Sequence, residues 1–456
     1  MMAAAIDPSM ASLPLAACLK CNLYLVCPQC ASSMAKHHDA AECAALPQLD
    51  NCPSTVLLAF RLARLLQLQQ TASATVDAAD PSLTAAAVST CSARPVALHD
   101  LQPACAPAAS SACEDQSSSS PAAAAAAAAA NVLTALLPGV TRPQILHAVA
   151  LCANNAHAVS DPASHTVIGQ AIFPSLSLFN HACAPSAYFS VATQPGRAVT
   201  GAVRARRALL RGDGVTLSYI PLHAYPRSVR RRSLEAKYGF RCACAECVSG
   251  SLEPVVRGFA PLLSGGAVTW TNGGDGDGGD DARLAQQQQQ QLDEEQETEA
   301  IVEECEALSA GGRHLEAHLV LETQRQSLRA LGTHHWLRAR LLLALTHCQA
   351  ARARYEQLAP TCAALLRALR AAAPLVDPLL LAQTLVYRAV ALERGGEGEQ
   401  GEEGGQGEEG EGAPTAAECL GEACDALEVC LGAEHSYTRT VHRMQADLEG
   451  TKQDTT

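Results

Sequence analysis

The chain has 456 residues, 48% of them hydrophobic, enough to bury cores in two or three folding units. A net charge of −13 and a pI near 5.6 exclude a protein that coats nucleic acid along its whole length. No apolar stretch reaches the ~20 uninterrupted residues of a membrane-spanning helix, and only 4% of residues are aromatic while alanine is abundant, which favours helix over extended sheet.

The first predicted element is cysteine-rich: Cys18-x2-Cys21, Cys27-x2-Cys30, His38 and Cys43. Cysteines two residues apart place both sulfurs on one side of a tight turn, and a later His with a Cys closes a tetrahedral site. His37 is an alternative ligand to His38. Residues 56–66 carry apolar side chains at i, i+3, i+4 and i+7, an amphipathic helix. From 70 to 130 the chain is low-complexity, rich in Ala, Ser, Thr and Pro, and the alanine run 122–130 has no apolar face of its own to pack. A second helix is predicted over Arg142–Asn154 with Pro143 in its first turn.

The central block contains Leu178-Phe179-Asn180-His181-Ala182-Cys183-Ala184-Pro185, a strand at Val215–Tyr219, and Tyr238-Gly239-Phe240-Arg241-Cys242-Ala243-Cys244-Ala245-Glu246-Cys247. One isolated cysteine followed some sixty residues later by Cys-x-Cys-x-x-Cys is a spacing that four thiolates around a tetrahedral zinc would use. Two arginine strips, one with Arg204, Arg206, Arg207 and Arg211 and one with Arg227, Arg230, Arg231, Arg232 and Lys237, read as solvated faces of a strand and a helix.

A second low-complexity linker spans 264–299, with Gly/Asp repeats and the glutamine run 286–291. Helical patterns then occupy Ala300–Leu331, broken at Gly311-Gly312, and continue over Trp336–Ala351, Ala359–Ala372, 378–393 and 416–449. A Gly/Glu insertion interrupts them at 395–412. Cys305, Cys348, Cys362, Cys419, Cys424 and Cys430 lie singly within these patterns and are assigned to core packing. With no leader-like segment at the N-terminus, the cysteine usage points to a reducing compartment, cytoplasm or nucleus.

These residues, in this order, resemble the SET-and-MYND (SMYD) family of SET-domain protein lysine methyltransferases. The resemblance implies an α+β fold: a β-rich SET domain with a pseudoknot and a post-SET zinc site, a partial MYND-like zinc finger, and an α-helical, tetratricopeptide-like C-terminal domain. The corresponding division is a short segment at 1–17, the finger at 18–43, a helical insertion at 44–151, the SET core at 152–223, the post-SET segment at 224–250 and the helical domain at 300–450. In the finger, Cys18, Cys21, His38 and Cys43 complete one MYND-type site, while Cys27 and Cys30 supply half of the other. The post-SET zinc is held by Cys183, Cys242, Cys244 and Cys247. Asn155, Asn180, His181, Tyr219 and Phe240 correspond to contacts of S-adenosylmethionine. Tyr219 matches the family's catalytic tyrosine, and Tyr238 a tyrosine lining the lysine channel.

The implied reaction explains those residue types. Methyl transfer to a lysine is an in-line displacement that needs a neutral amine and excluded water. The free amine, with a pKa near ~10.4, is charged at neutral pH. Burial among aromatic rings beside a sulfonium lowers that pKa, and the rings also receive the cationic head. The partner is a histone or non-histone protein presenting a lysine, and the finger or helical domain is a place for further peptide ligands; the acidic balance disfavours direct nucleic-acid contact. The sequence also departs from the family. Ala182 stands for a serine and Ser186 for an asparagine, and the seventeen residues before Cys18 contain no Gly-x-Gly strand. Two readings stay open: an active methyltransferase, or a catalytically inactive zinc and helix scaffold for protein interaction.

Overall fold

The computed structural model describes residues 16–17, 25–26, 40–49, 52, 54–75, 121–160, 167–192, 200–221, 223–258, 280–323, 331–395 and 414–453. In and around the finger segment it contains the antiparallel pair β1 (Ala16–Ala17) and β2 (Leu25–Val26) and the helix α1 (Ala40–Leu49), on which Cys43 is half-buried. Cys18, Cys21, Cys27, Cys30 and His38 lie outside the described residues.

Three further helices build the first core: α2 (Ser54–Thr75), α3 (Pro121–Leu136) and α4 (Arg142–Asn155). The stripe predicted within 56–66 puts Ala59, Phe60, Leu62 and Ala63 inside, against Leu133, Leu137, Ile145, Ala148 and Leu151. The alanine run does find a packed face, contrary to its low-complexity reading. Helix α3 continues past the run, so Ala130 and Leu133 fall on one buried stripe at i and i+3, which Leu137 extends just beyond the helix end. Pro143 in the first turn of α4 costs no hydrogen bond, and the Gln144 side chain accepts the Thr141 N–H at 2.8 Å to close the helix start.

The strands form small paired sheets. β3 (Ala156–Ser160) runs antiparallel to β4 (Val167–Ile172), and β6 (Ala187–Ala192) antiparallel to β7 (Thr200–Ala205). Between them β5 (Asn180–His181) pairs in parallel with β8 (Thr216–Leu217), Asn180 opposite Thr216 and His181 opposite Leu217. A parallel pair needs a crossover, here the β6–β7 hairpin, which brings two segments distant in sequence side by side. The mixture of helix and strand is an α+β architecture.

Helix α5 (Arg227–Tyr238) follows, with short α6 (Ala245–Ser249) and α7 (Glu253–Val256). The C-terminal part is a stack of α8 (Asp280–Ala310), α9 (His314–Thr323), α10 (Trp336–Ala351), α11 (Tyr355–Ala371), α12 (Pro378–Arg394), α13 (Ala416–Cys430) and α14 (Ser436–Gln453), each packed on its neighbours in the chain. Helix α8 begins at Asp280 and carries the glutamine run, so the segment 264–299 read as a linker is helical over its second half. The six cysteines assigned to packing are all buried.

The stack and the strands share one core. Cys183, Leu234, Cys242, Cys247 and Val256 pack into the same apolar cluster as Trp336, Leu337, Leu341 and Leu365. Hydrogen bonds reinforce the junction: the Ala224 N–H donates to the Leu375 carbonyl at 3.2 Å, and the Arg206 guanidinium Nη2 donates to that of Val376 at 2.9 Å. Part of the first arginine strip is therefore a half-buried tie between the two parts and not a solvated strand face.

Candidate functional site: a four-cysteine cluster beside an aromatic group

Local structure explains how four distant cysteines meet. Cys183 follows β5, which the β8 pairing anchors; Cys242 and Cys244 lie on the turn after α5, and Cys247 in α6. Their sulfurs all lie within 4.8 Å of one another, with Cys183 3.5 Å from Cys247 and 4.0 Å from Cys242. A tetrahedral ion with metal–sulfur bonds of about 2.3 Å would set them about 3.8 Å apart. The donor set is all sulfur and the cysteines are free thiols, which suits zinc among divalent ions. The geometry therefore fits the metal that the spacing predicts.

Hydrogen bonding differentiates the four sulfurs. Cys183 and Cys244 are tied by the Cys183 N–H, which donates to the Cys244 sulfur at 3.5 Å. Burial raises the Cys244 pKa, but the backbone N–H groups of Cys183 and Cys247 outweigh it and draw the thiol down to about 7. Burial instead pushes Cys242 up to about 11 and Cys183 well above the ordinary thiol range. A bound cation would reverse that for the buried pair, since a coordinating thiol is deprotonated outright.

Beside the cluster stands a group of rings. Tyr219 lies 5.0 Å from Tyr238 and 5.4 Å from His181 between centroids, and Phe240 stands edge-on to Tyr219 at 6.4 Å and 90°. Gly239 makes this possible: its φ of +72° ends α5 and turns the chain so that Tyr238 and Phe240 both reach Tyr219. The Tyr219 hydroxyl donates to the Phe179 carbonyl at 2.5 Å, and that of Tyr238 to the Tyr219 carbonyl at 3.2 Å. Burial, with Tyr238 beside it, raises the Tyr219 pKa and keeps the phenol protonated.

His181 joins the two features. Its Nδ1 accepts the Tyr219 N–H at 3.0 Å, so the ring proton sits on Nε2, 3.4 Å from the Cys183 sulfur. Burial first, and then Arg230, lower its pKa to about 4, leaving the imidazole neutral. Asn180 is exposed at the start of β5. Asn155 is buried at the end of α4, where its amide donates to the Leu151 carbonyl at 2.9 Å. Its own carbonyl accepts from Ser177 Oγ at 3.4 Å, just ahead of the Asn180 segment.

Two residues matter more than their sequence reading implied. Ser186, noted only as a departure, is buried and donates to the Gly214 carbonyl at 3.0 Å while accepting the Thr216 N–H at 3.0 Å. It clasps the loop after Cys183 to the turn before β8. Arg230, read as part of a solvated face, is 2% exposed. Helical periodicity held a partial signal, because Arg230 and Leu234 share one face of α5 at i and i+4.

Among the described residues no helix is long and apolar enough to cross a membrane. No protein-family model matches the chain. Curated proteins do match over part of its length. N-lysine methyltransferase SMYD2-B of Danio rerio is 35% identical over 88 residues, 19% of each chain. SMYD2 of Rattus norvegicus is 39% identical over 82 residues, 18% of each. Histone-lysine N-methyltransferase ASHR1 of Arabidopsis thaliana is 31% identical over 120 residues, 26% of this chain and 24% of the relative. The likeness spans about a fifth to a quarter of these relatives' length, and over that stretch the chain is similar to SMYD-type lysine methyltransferases.

Proposed function

We propose that this chain is a protein-lysine N-methyltransferase of SET-and-MYND type that uses S-adenosylmethionine and holds a structural zinc at Cys183, Cys242, Cys244 and Cys247. One observation carries the reading: Tyr219, Tyr238, Phe240 and His181 form a single ring group directly against the four-sulfur cluster. Partial likeness to proteins named as lysine methyltransferases supports it.

The residues suit the chemistry in stages. The faces of Tyr219 and Tyr238 attract a lysine ammonium and strip its water, which favours release of its proton. Tyr219, held by the Phe179 carbonyl and by His181, keeps its phenol protonated and its ring fixed, the preorganisation that in-line transfer needs. Phe240, Asn180 and Asn155 are assigned to the cofactor wall, with Ser186 and the zinc holding the loops that carry the site. When bound, S-adenosylmethionine supplies an electrophilic methyl group on a sulfonium. The tetratricopeptide-like stack and the finger serve the substrate protein, in the cytoplasm or nucleus.

Calorimetric titration of S-adenosylmethionine into the zinc-loaded chain tests the proposal. Micromolar binding, competed by S-adenosylhomocysteine, supports a working pocket. A folded, zinc-containing chain that binds neither supports the scaffold reading.

A further inference from the structure

Helix α5 turns three arginines toward the cysteine turn, at i, i+3 and i+4. Arg231 donates from Nε to the Cys242 carbonyl and from Nη2 to the Cys247 carbonyl, each at 3.0 Å, and Arg227 reaches the latter at 3.4 Å. These two hold the backbone of the cysteine segment. Arg230 is different: it is buried, one nitrogen donates to the Tyr225 carbonyl, and Nε and Nη2 are buried with no oxygen or nitrogen acceptor among the described residues.

A buried guanidinium with two N–H groups that meet no oxygen acceptor is costly unless an anion faces it. Its helix face is the one that meets the cluster, with Leu234 one turn on packed in the same core as Cys183 and Cys247, and attraction to those two sulfurs holds its pKa up against burial. Neutral thiols would be poor compensation for a buried cation. Four thiolates around a divalent ion carry a net charge of −2, which a cation on one side offsets. Cys183 is also the sulfur that the Nε2–H of His181 approaches at 3.4 Å from another direction.

We propose that Arg230 is the outer charge partner of the four-cysteine site, balancing through Cys183 and Cys247 part of the negative charge of a divalent metal held by four thiolates. This rests on the reading of the cluster as a zinc site. Its role is positioning and charge balance, not ligation: no Arg230 atom replaces a sulfur. Outer partners of this kind typically change metal affinity by about 10–100-fold.

The test is zinc affinity of the full chain at one fixed pH, by competition with a chromophoric chelator, for the native protein and for Arg230→Lys, Arg230→Gln and Arg230→Met. Circular dichroism checks folding, and cobalt(II) absorption reports whether four thiolates still ligate. The expected result is about 10–100-fold weaker zinc binding for the Gln and Met variants, substantial recovery with Lys, and an unchanged cobalt spectrum. If the Met variant fails to fold, Lys against Gln makes the same comparison. Neutral variants within about twofold of native, or a Lys variant as weak as Gln, would overturn the charge role. A native chain that binds no zinc would overturn the metal reading as well, whereas tight native binding with unaffected variants removes only the role of Arg230.

Discussion

His181 and Tyr219 are joined by a hydrogen bond of 3.0 Å from the tyrosine backbone N–H to the imidazole Nδ1, which leaves Nε2–H directed at the Cys183 sulfur. One neutral ring thus connects the cluster to the strand end that presents Tyr219. The four-cysteine cluster and the aromatic group are therefore parts of one structure, so loss of the cluster should be felt at the rings.

Tyr219→Phe removes the phenol while keeping the ring. The Phe179 carbonyl loses its donor, worth about 1 kcal/mol of stability. Methyl transfer is expected to fall by roughly 100-fold or more, because an oriented polar group at the reacting centre contributes on that scale. Zinc content should stay at the native value. Single-turnover transfer of a labelled methyl group, measured beside metal analysis, checks both; native rates in this variant would remove Tyr219 from the chemistry.

Cys244→Ser takes one corner from the cluster. The metal stoichiometry should drop and the near-ultraviolet dichroism of the tyrosine group should weaken, since Phe240 and Cys242 lie on the same short turn. Structural zinc contributes on the order of 10–16 kcal/mol to folding in isolated fingers, so even a fraction of that would lower the melting temperature visibly. A chelator added to the native chain should reproduce both changes. An unaltered melt after metal stripping would count against the site.

Trp336→Ala addresses the shared core. Trp336 is 1% exposed, stands edge-on to Tyr225 at 5.8 Å and lies beneath the Arg340 guanidinium. Truncation should cost about 3–5 kcal/mol in chemical denaturation. Because strands and stack meet there, a single cooperative loss is expected; a variant as stable as the native chain would show that the junction contributes little.

Acidification should weaken the junction through His335 and Glu295. The Nε2 of fully buried His335 lies 3.1 Å from Glu295, which also pairs with Arg257 at 2.8 Å, and Arg257 reaches Ser228 on α5. Burial lowers the His335 pKa despite Glu295, so the unfolded chain takes up a proton below its ordinary value near 6.5 while the folded one does not. Burial raises the Glu295 pKa, but His335 and Arg257 outweigh it and the net shift is downward. Stability from Glu295 is therefore present above its ordinary value near 4.5 and lost as pH falls through the folded pKa. Both effects have the same sign. Urea denaturation at about pH 7.5 and pH 5.5 should show lower stability at the acid value, with a smaller difference for His335→Asn. Equal slopes in the two proteins would refute the assignment to His335.

The features legible in the chain were those set by residue type and spacing. The stripe at Ala59, Phe60, Leu62 and Ala63 follows helical periodicity, and the isolated Cys183 with the later Cys242, Cys244 and Cys247 follows the arithmetic of tetrahedral ligation. The start of α8 at Asp280 was not legible, because glutamine and acidic residues carry no apolar period. Nor was the packing of the alanine run, whose buried stripe exists only where α2 and α4 lie against Ala130 and Leu133.

By itself the sequence determined the donor atoms and the ring types, since residue chemistry is a local property. Tertiary structure alone decided which of several equivalent-looking residues matter. Arg227, Arg230, Arg231 and Arg232 are one basic strip in sequence, yet docking of α5 buries Arg230, sends Arg231 to two carbonyls of the cysteine segment and leaves Arg232 in solvent. The reason is that the cost of burying a charge depends on what faces it, and that is set by contacts between segments far apart in the chain.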